Sequence, residues 1–328
     1  MTCCIGFDVG GTHLKAALVR RSGRVVTERA APTPTDKGAD GVIDAMVDLV
    51  RAVVEAGSIT IDQVAGIGVG APGAIDVHAG VVLGAPNLPG WVNLPLGDRL
   101  RERTGRPVVV ANDANVAAFA EYRVGVGRDP SVKDLVMIVL GTGVGSGIVL
   151  DGRILHGGFG MAGEIGHTII EPNGRACGCG QRGCLECYVS ATGVARRAIE
   201  AIEAGERSSL RATCDEQGGQ LSSQDVFDAV VAADALACRI ADETADYLGI
   251  CCVNLSRLLD PQMIVLAGGL AQAGDPLLSR VRAAYATHNW TLVPGRVRIV
   301  PAQLGIRAGI VGAAALAWDS VDGAAQTP

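Results

Sequence analysis

The feature that most constrains this chain is an internal repeat. Cys3–Phe7, the pair Gly10-Gly11, His13–Val19, the turn Ser22-Gly23 and Val25–Arg29 read as three antiparallel strands joined by tight turns. The same order returns about 135 residues later as Leu135–Leu140, Gly141-Thr142-Gly143, Gly147–Leu150, Asp151-Gly152 and Arg153–Leu155. That spacing is too long for a solenoid, so two similarly built lobes are expected. The 328 residues suffice for two such cores.

Around the two copies the chain alternates strand and helix patterns. Gly41–Glu55 carries Val42, Ile43, Met46, Val47, Val50, Val53 and Val54 at helical intervals, and Val64–Val69 and Val108–Ala111 read as short buried strands. Between those strands, Pro72, Pro86, Pro89 and Pro95 predict irregular backbone lying on the surface. Ser223–Leu259 is predicted helical, with Leu236, Ile240, Tyr247, Leu248, Cys251, Leu255 and Leu258 on one broad face. Met263–Ala267 reads as a strand ending at Gly268-Gly269, followed by a helix from Asp275. The fold class is therefore α/β.

Composition excludes several functions. Aromatic residues are only 3% of the chain, too few for a base-stacking platform, and the net charge of −6 offers no global attraction to polyanions. The cluster Arg20, Arg21, Arg24 has no wider basic stripe around it and reads as a solvated turn. Neither nucleic acid nor membrane is an expected partner: the best apolar run, Ala308–Trp318, follows Arg307, contains Gly312 and falls short of a span. Asp8 interrupts the apolar start, which argues against a secretory signal. With 10 cysteines and no such signal, reduced thiols or metal ligation in the cytoplasm are expected.

The glycine clusters carry the first chemical hint. Gly68-Gly70-Gly73 and Gly158-Gly160-Gly163 fit the dinucleotide spacing, yet neither opens a helical pattern, and no acidic residue follows the first at the required offset. Asp8-Val9-Gly10-Gly11-Thr12, Gly141-Thr142-Gly143 and Gly268-Gly269 instead each follow a strand directly. Without side chains, such turns let backbone N–H groups approach phosphate oxygens, and Thr12 and Thr142 add hydroxyl donors. Asp8 is placed to hold a metal ion through water beside those phosphates. One cluster alone would read as an ordinary hairpin turn; three together favour phosphate.

Cys177-Gly-Cys179-Gly-Gln-Arg-Gly-Cys184 places three thiols within eight positions, and His167 lies ten residues upstream. One imidazole and three thiolates make a tetrahedral site suited to zinc. Cys184-Leu-Glu-Cys187 formally fits a redox motif, and Cys187 is left unassigned. The remaining cysteines read as small buried hydrophobes. Glu164 and Glu186 flank the metal loop and suit ligand binding, with a helical surface as the alternative for Glu164.

Asp8-Val-Gly-Gly-Thr12, Asn112-Asp113-Ala-Asn115, Glu164-Ile-Gly-His167 and the cysteine motif through Glu186 together resemble the ROK family of sugar kinases and sugar-responsive repressors, from about Ile5 to Trp318. The resemblance implies a duplicated actin-like, ribonuclease H-like fold of two lobes with a cleft between them. Residues 1–111 would form the small lobe, joined by a C-terminal helix at 305–319, and 112–304 the large lobe with a zinc loop at 167–187. It implies ATP with Mg²⁺, a structural Zn²⁺ on His167, Cys177, Cys179 and Cys184, and a homodimer or dimer of dimers. Asp113 resembles the base that accepts the proton of the sugar 6-hydroxyl, with capping of the helix from Asn115 as its alternative role. Gly73, Asn87, Asn112, Asp113, Glu164, His167 and Glu186 match sugar-binding positions. Asp8, Gly10, Gly11, Thr12, Lys15, Gly141, Thr142, Gly143, Gly268 and Gly269 match the nucleotide and metal side.

Asn87-Leu-Pro-Gly-Trp91 and Glu121-Tyr-Arg-x-Gly-x-Gly127 look like the glucokinase form of their segments, and Ala74 weakly favours glucose. The repressors carry an N-terminal helix-turn-helix, whereas this sequence begins at its first strand. The expected activity is phosphorylation of glucose to glucose 6-phosphate. The alternatives are another hexose or N-acetylhexosamine (N-acetylglucosamine, N-acetylmannosamine, fructose or allose), a polyphosphate donor, or a non-catalytic sugar sensor.

Overall fold

The computed structural model describes residues 2–85, 88–289 and 296–326. The first copy of the repeat forms β1 (Cys3–Val9), β2 (His13–Val19) and β3 (Val25–Pro32), followed by helix α1 (Gly38–Ala56) and strands β4 (Val64–Ala71) and β8 (Val108–Asn112). These five strands form one sheet in the order β3-β2-β1-β4-β8, antiparallel through β1–β2–β3 and parallel through β1–β4–β8. The second copy forms β9 (Leu135–Leu140), β10 (Val144–Leu150) and β11 (Arg153–Ile154), completed by β12 (Met263–Ala267) and β13 (Arg298–Pro301). Its order, β11-β10-β9-β12-β13, reproduces the first, again with parallel strands beyond the hairpin. The fold is thus a duplicated α/β architecture, as the repeat predicted.

Alternation along β1 explains how the first sheet is covered. Ile5, Phe7 and Val9 join Leu14 and Leu18 in a core with Val42, Ile43, Met46, Val50 and Val53 of α1. Cys4, from the opposite face, packs with Ala17, Val19 and the C-terminal helix α10 (Ala308–Gln326) through Ile310, Ala314 and Ala317. That helix lies almost on the sheet backbone. A Cβ at Gly6 would sit 1.8 Å from the Ile310 carbonyl oxygen, and one at Gly68 would sit 1.8 Å from that of Ala313. Gly68 therefore serves close packing between strand and helix.

Two compact units result: Met1–Lys133, Gly147–Ala162 and Gln303–Pro328 make the first, and Asp134–Ser146 with Gly163–Ala302 the second. The first unit includes helix α3 (Asp113–Val124), beyond the 111/112 boundary of the sequence division, because α3 packs directly on α10. At their contact a Cβ on Gly312 would come within 1.7 Å of the Val116 carbonyl oxygen.

The proline-rich stretch departs from expectation. It holds a small antiparallel sheet of β5 (Ala74–Asp76), β6 (Val81–Gly84) and β7 (Val92–Leu94), then helix α2 (Leu96–Thr104). Its Leu88, Trp91, Leu96 and Leu100 are buried. The described prolines sit between elements: Pro72 follows β4, Pro89 lies between β6 and β7, and Pro95 precedes α2, while Pro86 lies outside the described residues.

The second unit carries the other helices: α4 (Glu186–Val189), α5 (Ala191–Glu203), α6 (Leu210–Glu216), α7 (Ser223–Val231), α8 (Ala235–Leu258) and α9 (Asp275–His288). The single helix expected at Ser223–Leu259 is broken at Ala232–Asp234, where Ala233 takes φ 59° and Asp234 caps α8 by accepting the Ala237 N–H at 3.0 Å. Leu258, expected on the buried face, is 79% exposed at the helix end. Among the described residues, no helix is long and apolar enough to cross a membrane.

Candidate active site

In the first unit, the parallel strands β1, β4 and β8 bring their carboxyl ends to one edge of the sheet. Asp8 is in register with Gly70, and Ala71 with Asn112. Ligands of open α/β sheets bind beyond such an edge. Asp8 also faces Lys15 across the β1–β2 hairpin. Burial pushes its carboxyl above the ordinary range, against the opposing effect of Lys15. The hairpin turn itself is fastened: Gly10 N–H donates to His13 O at 3.0 Å, and Thr33 donates through N–H to Thr12 O and through its hydroxyl to Gly10 O, at 2.9 and 2.7 Å. Gly11 and Thr12 at its tip are exposed.

Asn112 and Asp113 stand at the junction of β8 and α3. The Asn112 side-chain oxygen accepts the N–H groups of Ala114 and Asn115 at 3.0 and 3.3 Å, so Asn112 caps the helix. The capping role weighed for Asp113 thus belongs to its neighbour. Asp113 is the first helical residue, and its carboxylate accepts the Ala114 N–H at 2.8 Å. Asn112 Nδ2 donates to the Gly73 carbonyl at 3.1 Å, tying the helix start to the turn after β4. Gly73 has φ 89°, and a Cβ there would lie 2.0 Å from Gly84 O, so only glycine fits. Asp8, Gly73, Asn112 and Asp113 are therefore brought to one edge; Asn87 lies outside the described residues.

In the second unit, β9 and β12 are parallel neighbours, with Val139 opposite Ala267, so the turns at Gly141 and Gly268 emerge side by side. Gly268 takes φ 90°, where a Cβ would lie 2.4 Å from Leu140 O. The first turn is held from three sides. Gly141 O accepts the Ala191 N–H at 2.8 Å, Thr142 O accepts the Thr192 hydroxyl at 2.8 Å, and Val144 N–H donates to Glu186 Oε2 at 2.9 Å. Beside it lies a cavity of about 550 Å³ lined by Thr192, Ala195, Arg196, Ile199, Leu221 and Ser222. Sequence reasoning did not find this cavity. The nearest signal was the capping box Ser222-x-x-Asp225 at the start of α7.

The cysteine loop brings its four candidate ligands together. Bridges Ile169–Cys184 and Ala176–Arg182 fold the segment back on itself, and Cys177 N–H donates to Gln181 O at 2.9 Å. The ligand atoms of His167, Cys177, Cys179 and Cys184 all lie within 4.8 Å of one another. His167 Nδ1 is 3.8 Å from Cys177 Sγ, and the Cys179 and Cys184 sulfurs are 3.6 Å apart. Those separations match the ~3.8 Å edge of a tetrahedron with Zn–S bonds of about 2.3 Å. The donor set therefore fits zinc. Burial pushes the Cys177 thiol up to about 12 and raises Cys184 as well, while the Gln181 backbone N–H draws Cys179 down. Cys187 stands apart, its sulfur 3.5 Å from Ala176 O. Glu186 lies beside the cluster, Oε1 3.9 Å from Cys177 Sγ, and Glu164 is an exposed residue just before the 3-10 turn holding His167.

The ROK family model matches residues 4–320. The chain is 40% identical to the glucokinase of Halalkalibacterium halodurans, over 94% of this chain and 92% of that protein. It is 34% identical to the N-acetylmannosamine kinase of Citrobacter koseri, over 95% and 98% of the two chains. Among solved structures, a ROK family glucokinase from Streptomyces griseus in complex with glucose and AMPPNP matches with a TM-score of 0.78 and 34% identity, covering 97% of this chain and 99% of that one. The chain belongs to the ROK family, and its duplicated fold is the actin-like fold of ROK sugar kinases.

Proposed function

We propose that this protein is an ATP-dependent glucokinase that phosphorylates glucose at its 6-hydroxyl. The observation that carries the reading is near-full-length similarity to glucokinases, one of them bound to glucose and AMPPNP. Asp113 is the general base: at the end of β8, on a helix start capped independently by Asn112, its carboxylate is fixed without being consumed as the cap. Phosphoryl transfer depends mainly on positioning and charge neutralisation, and a base typically adds about 10²–10⁴ in rate. Asn112, Gly73, Asn87, Glu164, His167 and Glu186 bind sugar hydroxyls. His167 serves both roles if Nδ1 faces the metal, leaving Nε2 for the sugar.

On the nucleotide side, Gly10, Gly11, Thr12, Lys15, Gly141, Thr142, Gly143, Gly268 and Gly269 are the phosphate-binding residues of this proposal. The cavity beside Thr192 takes the nucleoside, since the Thr192 hydroxyl already binds the Thr142 turn. Asp8 orients Mg²⁺, which when bound neutralises phosphate charge. A structural Zn²⁺ on His167, Cys177, Cys179 and Cys184 would fix the loop that carries Glu186. The division into lobes at 1–111 with 305–319 and at 112–304, a homodimer or dimer of dimers, and a cytoplasmic setting belong to the same proposal.

The similarity to an N-acetylmannosamine kinase supports a second reading, in which the same machinery accepts an N-acetylhexosamine. A coupled assay of ADP release with Mg-ATP decides between them, using glucose, mannose, fructose, allose, N-acetylglucosamine and N-acetylmannosamine. The highest kcat/KM is expected with glucose. A higher value for N-acetylmannosamine would replace the substrate and keep the mechanism. No turnover of any sugar, with polyphosphate also inactive as donor, would sink the kinase assignment.

A further inference from the structure

One ion pair in the second unit joins the cysteine loop to the cavity beside Thr192. Arg175 of the loop grips Glu200 of α5 with both prongs of its guanidinium: Nη1 donates to Oε1 at 2.9 Å and Nη2 to Oε2 at 2.6 Å. The backbone of Arg175 is itself fastened on both sides, its N–H donating to the Tyr188 hydroxyl at 2.9 Å and its carbonyl accepting the Gly183 N–H at 2.8 Å. Tyr188 is buried and packs on Tyr247, their ring centroids 4.4 Å apart. The guanidinium therefore reaches α5 from a fixed base, and it holds the Glu200 carboxyl below the ordinary carboxylate range. Arg175 does not line the cavity; Glu200 does.

Glu200 ends a ridge on α5. Thr192, Arg196 and Glu200 stand four residues apart on one exposed face of the helix, and all three line the cavity. At one end, the Thr192 hydroxyl holds the Thr142 turn. Arg196, in the middle, is loosely held: its Nε lies 4.0 Å from Glu200 Oε1, beyond hydrogen-bond reach, and it has no other ion-pair partner among the described residues. Glu203, the other carboxylate of the cavity, does not pair with it. A four-residue spacing suits a close pair between Arg196 and Glu200. None forms, because Arg175 engages both oxygens of Glu200.

We propose that Arg175 is a positioning residue for the nucleotide: by occupying Glu200, it leaves Arg196 free to neutralise the phosphates. This rests on the reading of the cavity as the nucleoside site. A free guanidinium one helical turn from Thr192 supplies a cation that the glycine turns lack, and phosphoryl transfer depends on charge neutralisation. Without Arg175, the released carboxylate turns to Arg196, and that cation is lost to an internal ion pair. The cysteine loop thus acts on the cavity through a residue that does not line it.

Calorimetric titration of the full chain as purified with Mg-AMPPNP tests this, with adenosine as the comparison that lacks phosphates. Arg175→Ala is expected to weaken AMPPNP binding at least about fivefold and adenosine binding less than about twofold. The double variant Arg175→Ala with Glu200→Gln removes the competing carboxylate and should bind AMPPNP within about twofold of the parent, a rescue that a merely structural ion pair would not show. Arg196→Ala should weaken AMPPNP binding as Arg175→Ala does, and adding Arg175→Ala to it should change nothing further. Arg175→Ala keeps both backbone bonds of that residue, so the loop stays folded. Unchanged AMPPNP binding in Arg175→Ala overturns the proposal, as does a loss shared equally by adenosine or one that persists in the double variant. Each of these leaves the kinase assignment standing, since the parent still binds the nucleotide. A parent that binds no AMPPNP overturns both.

Discussion

Glu186 accepts the Val144 backbone N–H on Oε2 at 2.9 Å while Oε1 lies 3.9 Å from the Cys177 sulfur. One carboxylate thereby joins the glycine turn to the cysteine loop. The fit is tight, since a Cβ on Gly143 would approach Glu186 Oε2 to 2.4 Å. Glu186→Ala strands a part-buried N–H and is expected to cost about 1–3 kcal/mol of stability. Glu186→Gln keeps an acceptor for Val144 and should unfold within about 2 °C of the parent while binding glucose more weakly. Thermal unfolding with and without glucose checks both. Equal destabilisation by the two substitutions would show that charge, and not the Val144 hydrogen bond, holds the turn.

Asn112 and Asp113 are adjacent but separable. Asp113→Asn leaves the Asn112 cap intact, so the unfolding temperature should hold while kcat falls by about 10²–10⁴. Asn112→Ala removes the cap of α3 and the bond to Gly73, and should destabilise by about 1–2 kcal/mol. Asn112→Asp keeps the cap, but replaces the donation to Gly73 by a carboxylate oxygen set against that carbonyl and adds a negative charge beside Asp113. Steady-state kinetics beside thermal unfolding separates the three. Normal turnover in Asp113→Asn would remove it from the role of base.

Much of this was legible in the sequence because it is local. The two hairpin units announce themselves by alternating apolar residues and glycine turns, and three cysteines within eight positions limit where the loop can go. What escaped depends on distant partners. The prolines before β8 read as surface loop because a proline marks where regular structure stops, not whether the strands beside it are buried; Trp91 is. The segment Glu121–Gly127 stands out in the sequence, but not what Glu121 binds: two of its backbone donors, Gln303 and Leu304, come from more than 180 residues away. The break before α8 rests on Asp234 gathering Ser208, Ser209 and Ala237, a set that periodicity cannot show.

Asp8 gives a pH-dependent prediction. Burial raises its folded-state pKa, so between the unfolded and folded values the native protein holds the extra proton. Stability contributed by this group therefore falls as pH rises through that window and stays low above it. Asp8→Asn lacks the penalty. It is expected to be more heat-stable than the parent at neutral pH, with the gap closing below about pH 4, where carboxylates protonate even when unfolded. Mg-ATP should stabilise the parent more than the variant, because the carboxylate then meets a cation. A variant less stable than the parent at neutral pH would mean that Lys15 outweighs burial.

The cysteine loop offers the most direct chemical test. With Cys177 and Cys184 held protonated by burial, metal entry must displace thiol protons, so zinc rebinding to chelator-stripped protein should release about two or three protons per ion and weaken as pH falls. Cys179→Ser removes one ligand and should lower both bound zinc and unfolding temperature. Cys187→Ser should leave one ion bound per chain, because that sulfur faces Ala176 O and lies outside the four-ligand cluster. Metal analysis beside thermal unfolding reads all three proteins. Parent protein that carries no zinc and unfolds at the same temperature after chelation would rule out a structural ion; zinc lost from Cys187→Ser would show that the ligand set had been chosen wrongly.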